Sequence, residues 1–282
     1  MSAEPLRFAA LPIRRTRRDV QAEPYFHAVE AGLEEVLMPR GIEVLRQLVV
    51  SDEDEIAAYE RWSSSGLVVG VFLTDLHDAD DRLAALERLG TPTVVLGEPV
   101  DAGHAAVVRT ENRETMAVAV QALVGAGHRR IAHVTGPQHL LHTRSRMAGF
   151  LDAVEGARIA STQIEADYSA QGGIEAVDLL LDEAERPTAI VFDNDVMAVA
   201  AIGRLAARGL GVPSDISLLA WDDSLPCRLA APPLAAMSRD TQQAGVLAAH
   251  ALVDLLDGNG PSDTSLPAAV LVRRESIAAP AA

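Results

Sequence analysis

The 282-residue sequence contains no lysine; all 24 of its basic side chains are arginines. That absence excludes a phosphate-loop lysine, a Schiff-base lysine and a Ser-x-x-Lys nucleophile. Cysteine is almost as scarce. Cys227 stands alone, so there is no internal disulfide and no cysteine-pair metal site, and "SLPCRLAAPPL" carries no nucleophile signature around it. Positive charge is also short: 24 arginines face 40 acidic residues, a net charge of −16. Duplex binding draws most of its affinity from Lys and Arg neutralising phosphates, so this chain is not expected to hold DNA by itself. Long hydrophobic runs are missing too. No apolar stretch approaches the roughly 18 to 20 residues that span a bilayer, and "MSAEPLRFAALPIRR" lacks the layout of a secretory leader. The expectation is a cytoplasmic protein with no membrane partner.

What is present is a regular alternation of strand and helix. Apolar strings predict strands at 8–12, 44–50, 67–73, 93–96, 106–108, 130–135, 189–192 and 216–220. Helical spacing of apolar residues falls between most of them, at 25–38, 53–62, 79–89, 113–124, 144–154, 172–181 and 196–208. Gly127 in "GAGHRR" and Gly209 before Pro213 stand where left-handed helix ends are expected. Near-continuous apolar strands separated by helices of these lengths specify a mostly parallel sheet covered on both faces. Two successive runs of strand–helix units meet near Arg109 to Asn112. The fold class is therefore α/β, in two doubly wound parallel-sheet lobes.

In open parallel sheets ligands bind beyond the carboxyl ends of the strands. Three polar stretches fall at such ends: Asp193, Asn194 and Asp195 in "TAIVFDNDVMAVAA", Asp222 and Asp223 in "ISLLAWDDS", and Thr135 to Pro137 in "HVTGP". A metal site, an acid/base pair and a ligand-gripping edge are the alternatives. "DND" lacks the glycine and distal glutamate of a calcium loop, and His139 and His142 have no Cys or Glu at ligand spacing. There is no G-x-S-x-G, HExxH, G-x-G-x-x-G or phosphate loop. No catalytic residue, metal or cofactor is expected, and the protein is not expected to be an enzyme. Asp193, Asp195 and Asp223 read equally well as helix caps or solvated turns. Asn offers donor and acceptor together and Asp accepts two hydroxyls, which suits a polyhydroxylated or amide-bearing small molecule.

Six blocks, in order, carry a resemblance: "EPYFHAVEAGLEEVL" (23–37), "GHRRIAHVTGP" (127–137), "RMAGF" (146–150), "RPTAIVFDNDVMAVAAIGRLAARGLGVPSDISLLAWDDS" (186–224), "APPLAAMSRDTQQAG" (231–245) and "LVRRES" (271–276). Together they resemble the effector-binding core of LacI/GalR-family transcription repressors, over nearly the whole chain. The resemblance implies a periplasmic-binding-protein-like pair of lobes with three crossings. One lobe takes 1–109 plus 239–268, the other 110–238 plus 269–282. It implies a homodimer, a small sugar-like effector held between the lobes, and allosteric control of operator DNA binding through an N-terminal helix-turn-helix domain that this chain does not include.

The same resemblance implies a ligand set. Arg146 matches an arginine that grips ligand oxygens, Asn194 and Asp222 match hydrogen-bonding residues at strand ends, and Tyr168 matches an aromatic that stacks on the ligand. Tyr25 and Phe26 match a pair that supplies another wall. On this reading Asn194 contacts the ligand and Asp195 caps the helix. The sequence also departs from the pattern. Arg14, Arg15, Arg17 and Arg18 in "PIRRTRRDVQAEP" leave open a phosphorylated or carboxylated effector, or a solvated basic loop. Leu140 and Leu141 stand where several relatives have polar contacts. A solute-binding protein of a transport system with the same fold is the alternative function.

Overall fold

The computed structural model describes residues 6–14, 24–78, 80–98 and 102–281. From the N-terminus the chain runs β1 (Arg7–Arg14), α1 (Pro24–Leu37), β2 (Ile42–Val49), α2 (Asp52–Ser65), β3 (Val68–Leu73), α3 (Asp81–Arg88), β4 (Thr93–Gly97) and β5 (Ala106–Arg109). It continues as α4 (Asn112–Gly125), β6 (Arg130–Thr135), α5 (Leu141–Ala157), β7 (Ala160–Glu165), α6 (Ala170–Asp182), β8 (Ala189–Phe192), α7 (Asp195–Ala207), β9 (Ser217–Trp221), α8 (Leu225–Leu229) and β10 (Ala235–Ser238). Last come α9 (Thr241–Leu256), β11 (Asp263–Ser265) and β12 (Val270–Val272). These residues form two compact units. The first takes the described residues up to Thr110 with Asp240–Pro267; the second takes Glu111–Arg239 and the chain from Ala268 onward. The chain therefore passes between the units three times. No helix among the described residues is long and apolar enough to cross a membrane.

Each unit is built on one six-stranded sheet. The first has the order β11-β5-β4-β3-β1-β2 and the second β12-β10-β9-β8-β6-β7. All pairings are parallel except β10 with β12. Strand order reverses between β1 and β3 in the first sheet and between β6 and β8 in the second. These are the switch points at which a doubly wound sheet leaves a crevice beyond its strand ends. Central strands are covered on both faces, which is why they read as unbroken apolar strings. In the second unit the alternation of side chains divides them cleanly. Ile131, Val191, Leu219 and Trp221 pack on α4 and α5 through Met116, Val120, Leu123 and Phe150. Val134, Ile190, Phe192, Leu218 and Ala220 face the opposite layer, where Val177, Leu180, Met197 and Leu205 of α6 and α7 cover them.

Several helices begin on side-chain caps: Ser51, Asp80, Ser169, Asn194, Ser224 and Asp240 each accept a backbone N–H two or three residues on. One of these corrects the sequence reading. The cap of α7 is Asn194, whose Oδ1 accepts the Met197 N–H at 2.9 Å, and Asp195 is the first helical residue. Both amino acids cap well, so only the residue at which φ and ψ leave the helical region decides between them. Gly127 and Gly209 sit just past α4 and α7 with φ of 106° and 75°, as the helix-end reading requires.

Candidate functional site

The carboxyl edge of the second sheet collects the polar residues of β6, β8 and β9. At its base Asp193 and His133 form a fully buried pair, His133 Nε2 lying 2.8 Å from Asp193 Oδ1. The Gly136 N–H donates to Asp193 Oδ2 at 3.0 Å, and Gln163 of β7 reaches His133 Nδ1 at 3.1 Å. Burial works against the Asp193 charge, but His133 and Arg146 beside it outweigh that and hold its carboxyl below the usual carboxylate range. Asp193 is therefore a structural anion. It fixes the "TG" turn after β6 and, through its main chain, the arginine above it.

Arg146 lies on α5 with its side chain 11% exposed. Its Nε donates to Asn112 Oδ1 at 2.9 Å and its Nη1 to the Asp193 carbonyl at 2.8 Å. The guanidinium lies over Trp221, 4.2 Å from the ring centroid, a cation–π contact that adds to its hold. Nη2 makes no hydrogen bond among the described residues. Arg239, at the end of the second unit's central run, also lies over Trp221, at 5.3 Å. The sequence reading missed Trp221, Asn112 and Asp193 as supports. Trp221 carried a signal, being one of two tryptophans and directly preceding "DD".

The two acids after β9 behave differently. Asp223 is committed: Arg274 of the terminal "LVRRES" stretch donates to it at 2.8 Å and Arg228 at 3.3 Å. Burial is overcome by these two arginines, and its carboxyl lies low. Asp222 receives no hydrogen bond on its carboxylate among the described residues. Burial raises its carboxyl above the usual range, Arg239 and Arg146 oppose this, and Asp193 adds to it. Its backbone has φ of 69°, a left-handed conformation that a residue with a Cβ adopts at a cost of about 1 kcal/mol or more and that gathers at functional sites. Tyr168, with φ of 67°, is the second such residue near this edge.

Tyr168 is drawn into the protein. It is 8% exposed and belongs to the core between the sheet and α6–α7. Its hydroxyl meets His142 Nε2 at 2.7 Å and Thr143 Oγ1 at 2.9 Å. The ring lies so close over Gly136 that a Cβ there would come within 2.0 Å of it. Asn194 is similarly engaged: while Oδ1 caps α7, Nδ2 donates to the Tyr168 carbonyl at 2.8 Å. Leu140, at the start of α5, is buried.

In the first unit Phe26 is 2% exposed in the core beside Leu33 and Phe72, and Tyr25 packs edge-on to it, ring centroids 5.3 Å apart. Arg15, Arg17 and Arg18 fall outside the described residues. Arg14, at the carboxyl end of β1, pairs with Asp52 and lies 4.0 Å from Glu55. Around it Arg82, 2% exposed, donates to Asp80 at 2.8 and 2.6 Å and to Glu55 at 3.0 Å. Asp52, His77 and Asp80 stand close enough to share a metal ion. The two carboxylates are already engaged, Asp52 by an ion pair with Arg14 and by His77 Nε2, and Asp80 by Arg82, so the cluster is an ionic network that ties α2 and α3 to the sheet.

Comparison with known proteins supports one lineage. A family model described as a periplasmic binding protein-like domain matches residues 120–277. The HTH-type transcriptional regulator CelR of Thermobifida fusca is 30% identical over 257 residues, covering 88% of this chain and 74% of that protein. Among solved structures, a LacI family transcriptional regulator from Bifidobacterium animalis subsp. lactis DSM 10140 superposes with a TM-score of 0.89 at 29% identity, covering 99% of this chain and 100% of that one. A transcriptional regulator CelR in complex with cellobiose gives 0.88 at 28% identity, covering 97% and 86%. These relatives are regulators, not enzymes. The chain belongs to the LacI/GalR family of transcription regulators and comprises that family's effector-binding core.

Proposed function

We propose that this core binds a neutral, sugar-like effector at the carboxyl edge of the second unit, and that occupancy of the site controls operator binding by the regulator to which the core belongs. The observation that carries the proposal is that Asp222 lies within electrostatic reach of Arg146. One is a carboxylate with no donor, set at a strand end by a strained backbone; the other is a guanidinium pre-oriented by Asn112, the Asp193 carbonyl and Trp221. A carboxylate that accepts beside an arginine that donates is what a hydroxyl pair needs. The similarity to a regulator solved with cellobiose supports a sugar.

Tyr25, Phe26, Tyr168 and Asn194 take part in the same reading with unequal weight. Tyr25 is the more exposed of the first pair, while Tyr168 and Asn194 shape the edge through their internal bonds. A ligand changes the balance of two conformations only by binding one of them better, so the effector's contacts supply the coupling to DNA. We further propose a homodimer, since paired half-site reading requires two-fold symmetry. The solute-binding alternative has no comparable support, because the relatives are transcriptional regulators.

A thermal-shift screen of sugars, sugar phosphates and nucleobases tests the function. A neutral sugar should raise the melting temperature in a concentration-dependent way, as ligand binding to the native state requires. A rise with sugar phosphates alone would overturn the ligand class.

A further inference from the structure

The Asp195 carboxylate is only partly satisfied: the Ser224 hydroxyl and the N–H groups of Asp195 and Val196 act on it, but not on both of its oxygens. The side-chain cap of α7, on the Met197 N–H, is made by Asn194. The Asp195 side chain is 5% exposed, and among the described residues no donor reaches its Oδ2 atom. Burial pushes its carboxyl up to about 6; the Ser224 hydroxyl lowers it in part and the neighbouring Asp222 charge raises it further. A buried carboxylate oxygen without a donor is costly, and native proteins keep few of them. Where one persists, it calls for a partner from outside the chain, such as a bound water, ion or ligand.

Resting on the effector reading above, we propose that Asp195 is a second carboxylate of that site, and that the effector is a neutral polyol donating one hydroxyl to Asp222 and another to Asp195 Oδ2. The donor is a hydroxyl rather than a cation. Arg146 and Arg239 already act on the charge of Asp222, so a third positive group would meet two guanidiniums. A hydroxyl satisfies both oxygens without adding charge. Two carboxylates at one edge also give selectivity. A sugar that lacks one of the two hydroxyls would leave a buried acceptor unpaired, the situation that produces the steepest discrimination between close analogues.

Calorimetric titration of cellobiose and a panel of free mono- and disaccharides into the parent, Asp195→Asn and Asp195→Ala tests this, with unliganded melting temperatures measured alongside. The parent should bind at least one panel member. Both variants should lose tenfold or more of that affinity while melting no lower than the parent, because burial outweighs the donors on this carboxylate and removing its charge relieves that cost. If the parent binds and the variants bind within tenfold of it, the assignment of Asp195 fails and the effector reading stands. If the variants lose affinity together with stability, Asp195 is structural and the assignment also fails. If the parent binds no neutral sugar, the ligand class falls, and the effector reading with it.

Discussion

At the scale of single residues, the second unit separates its acids by what surrounds them. Asp193 has His133, Gly136 and Arg146 to satisfy it, and Asp223 has Arg274 and Arg228. Asp222 lacks such donors among the described residues, and Asp195 has only the Ser224 hydroxyl and the neighbouring N–H groups, none of them on Oδ2. The sequence placed all four at strand ends but could not rank them, because the ranking comes from partners distant in the chain. His133 lies 60 residues from Asp193 and Arg274 lies 51 from Asp223. The commitments of Asn194 and Tyr168 were hidden for the same reason, since both depend on where a main-chain carbonyl and a glycine come to rest. A pH prediction follows from the sign of each shift. Asp195 is held near 6 in the folded protein against about 3.9 when unfolded. The native state therefore binds the extra proton between about pH 4 and pH 6, and its stability falls as pH rises through that window. Asp193, held low, acts the other way, stabilising above about pH 4 and losing that contribution as pH drops through its lower folded value. Urea unfolding across pH 4 to 6.5 should show Asp195→Asn free of a decline, on the order of 2 kcal/mol, that the parent shows.

At the scale of elements, helices meet where glycine removes the Cβ. On α1 and α9, Gly32 and Gly245 face each other's backbones; a Cβ on Gly32 would lie 2.0 Å from the Gln242 carbonyl oxygen, and one on Gly245 2.1 Å from that of Val29. Gly149 of α5 stands against the Arg113 carbonyl in the same manner, at 2.2 Å. Glycine within a helix costs roughly 1 kcal/mol relative to alanine, and backbone approach offsets it. Gly32→Ala should therefore destabilise by about 1–3 kcal/mol despite improving helix propensity, and chemical denaturation reads this directly. An unchanged midpoint would mean that the helices part without penalty. Most strands and helices were legible because both faces of the central strands are covered and their apolar runs are unbroken. β7 was not. "ASTQIE" is a partly exposed edge strand with little apolar signal, and its place is set by pairing with β6 along Arg130 to Thr135. The three-residue strands β11 and β12 are likewise fixed by their neighbours rather than by pattern.

At the scale of the whole molecule, the net charge of −16 sets what this chain does alone. Phosphate binding without an excess of cations is weak and falls steeply with salt, so a gel-shift assay with duplex DNA at physiological salt should show no complex. A salt-sensitive shift would contradict that reading of the charge. The proposed homodimer predicts a sedimenting species of twice the chain mass at micromolar concentration, and a species of chain mass alone would rule it out. Ligand recognition at the edge of the second unit is tested most directly by calorimetry of the best ligand from the sugar screen against Asp222→Asn. Asparagine tolerates the positive φ of this position and keeps the shape while removing the charge. The account predicts an unliganded melting temperature close to that of the parent and an affinity roughly tenfold to a hundredfold lower, the worth of one charged hydrogen bond. Parent-like affinity in Asp222→Asn would contradict it.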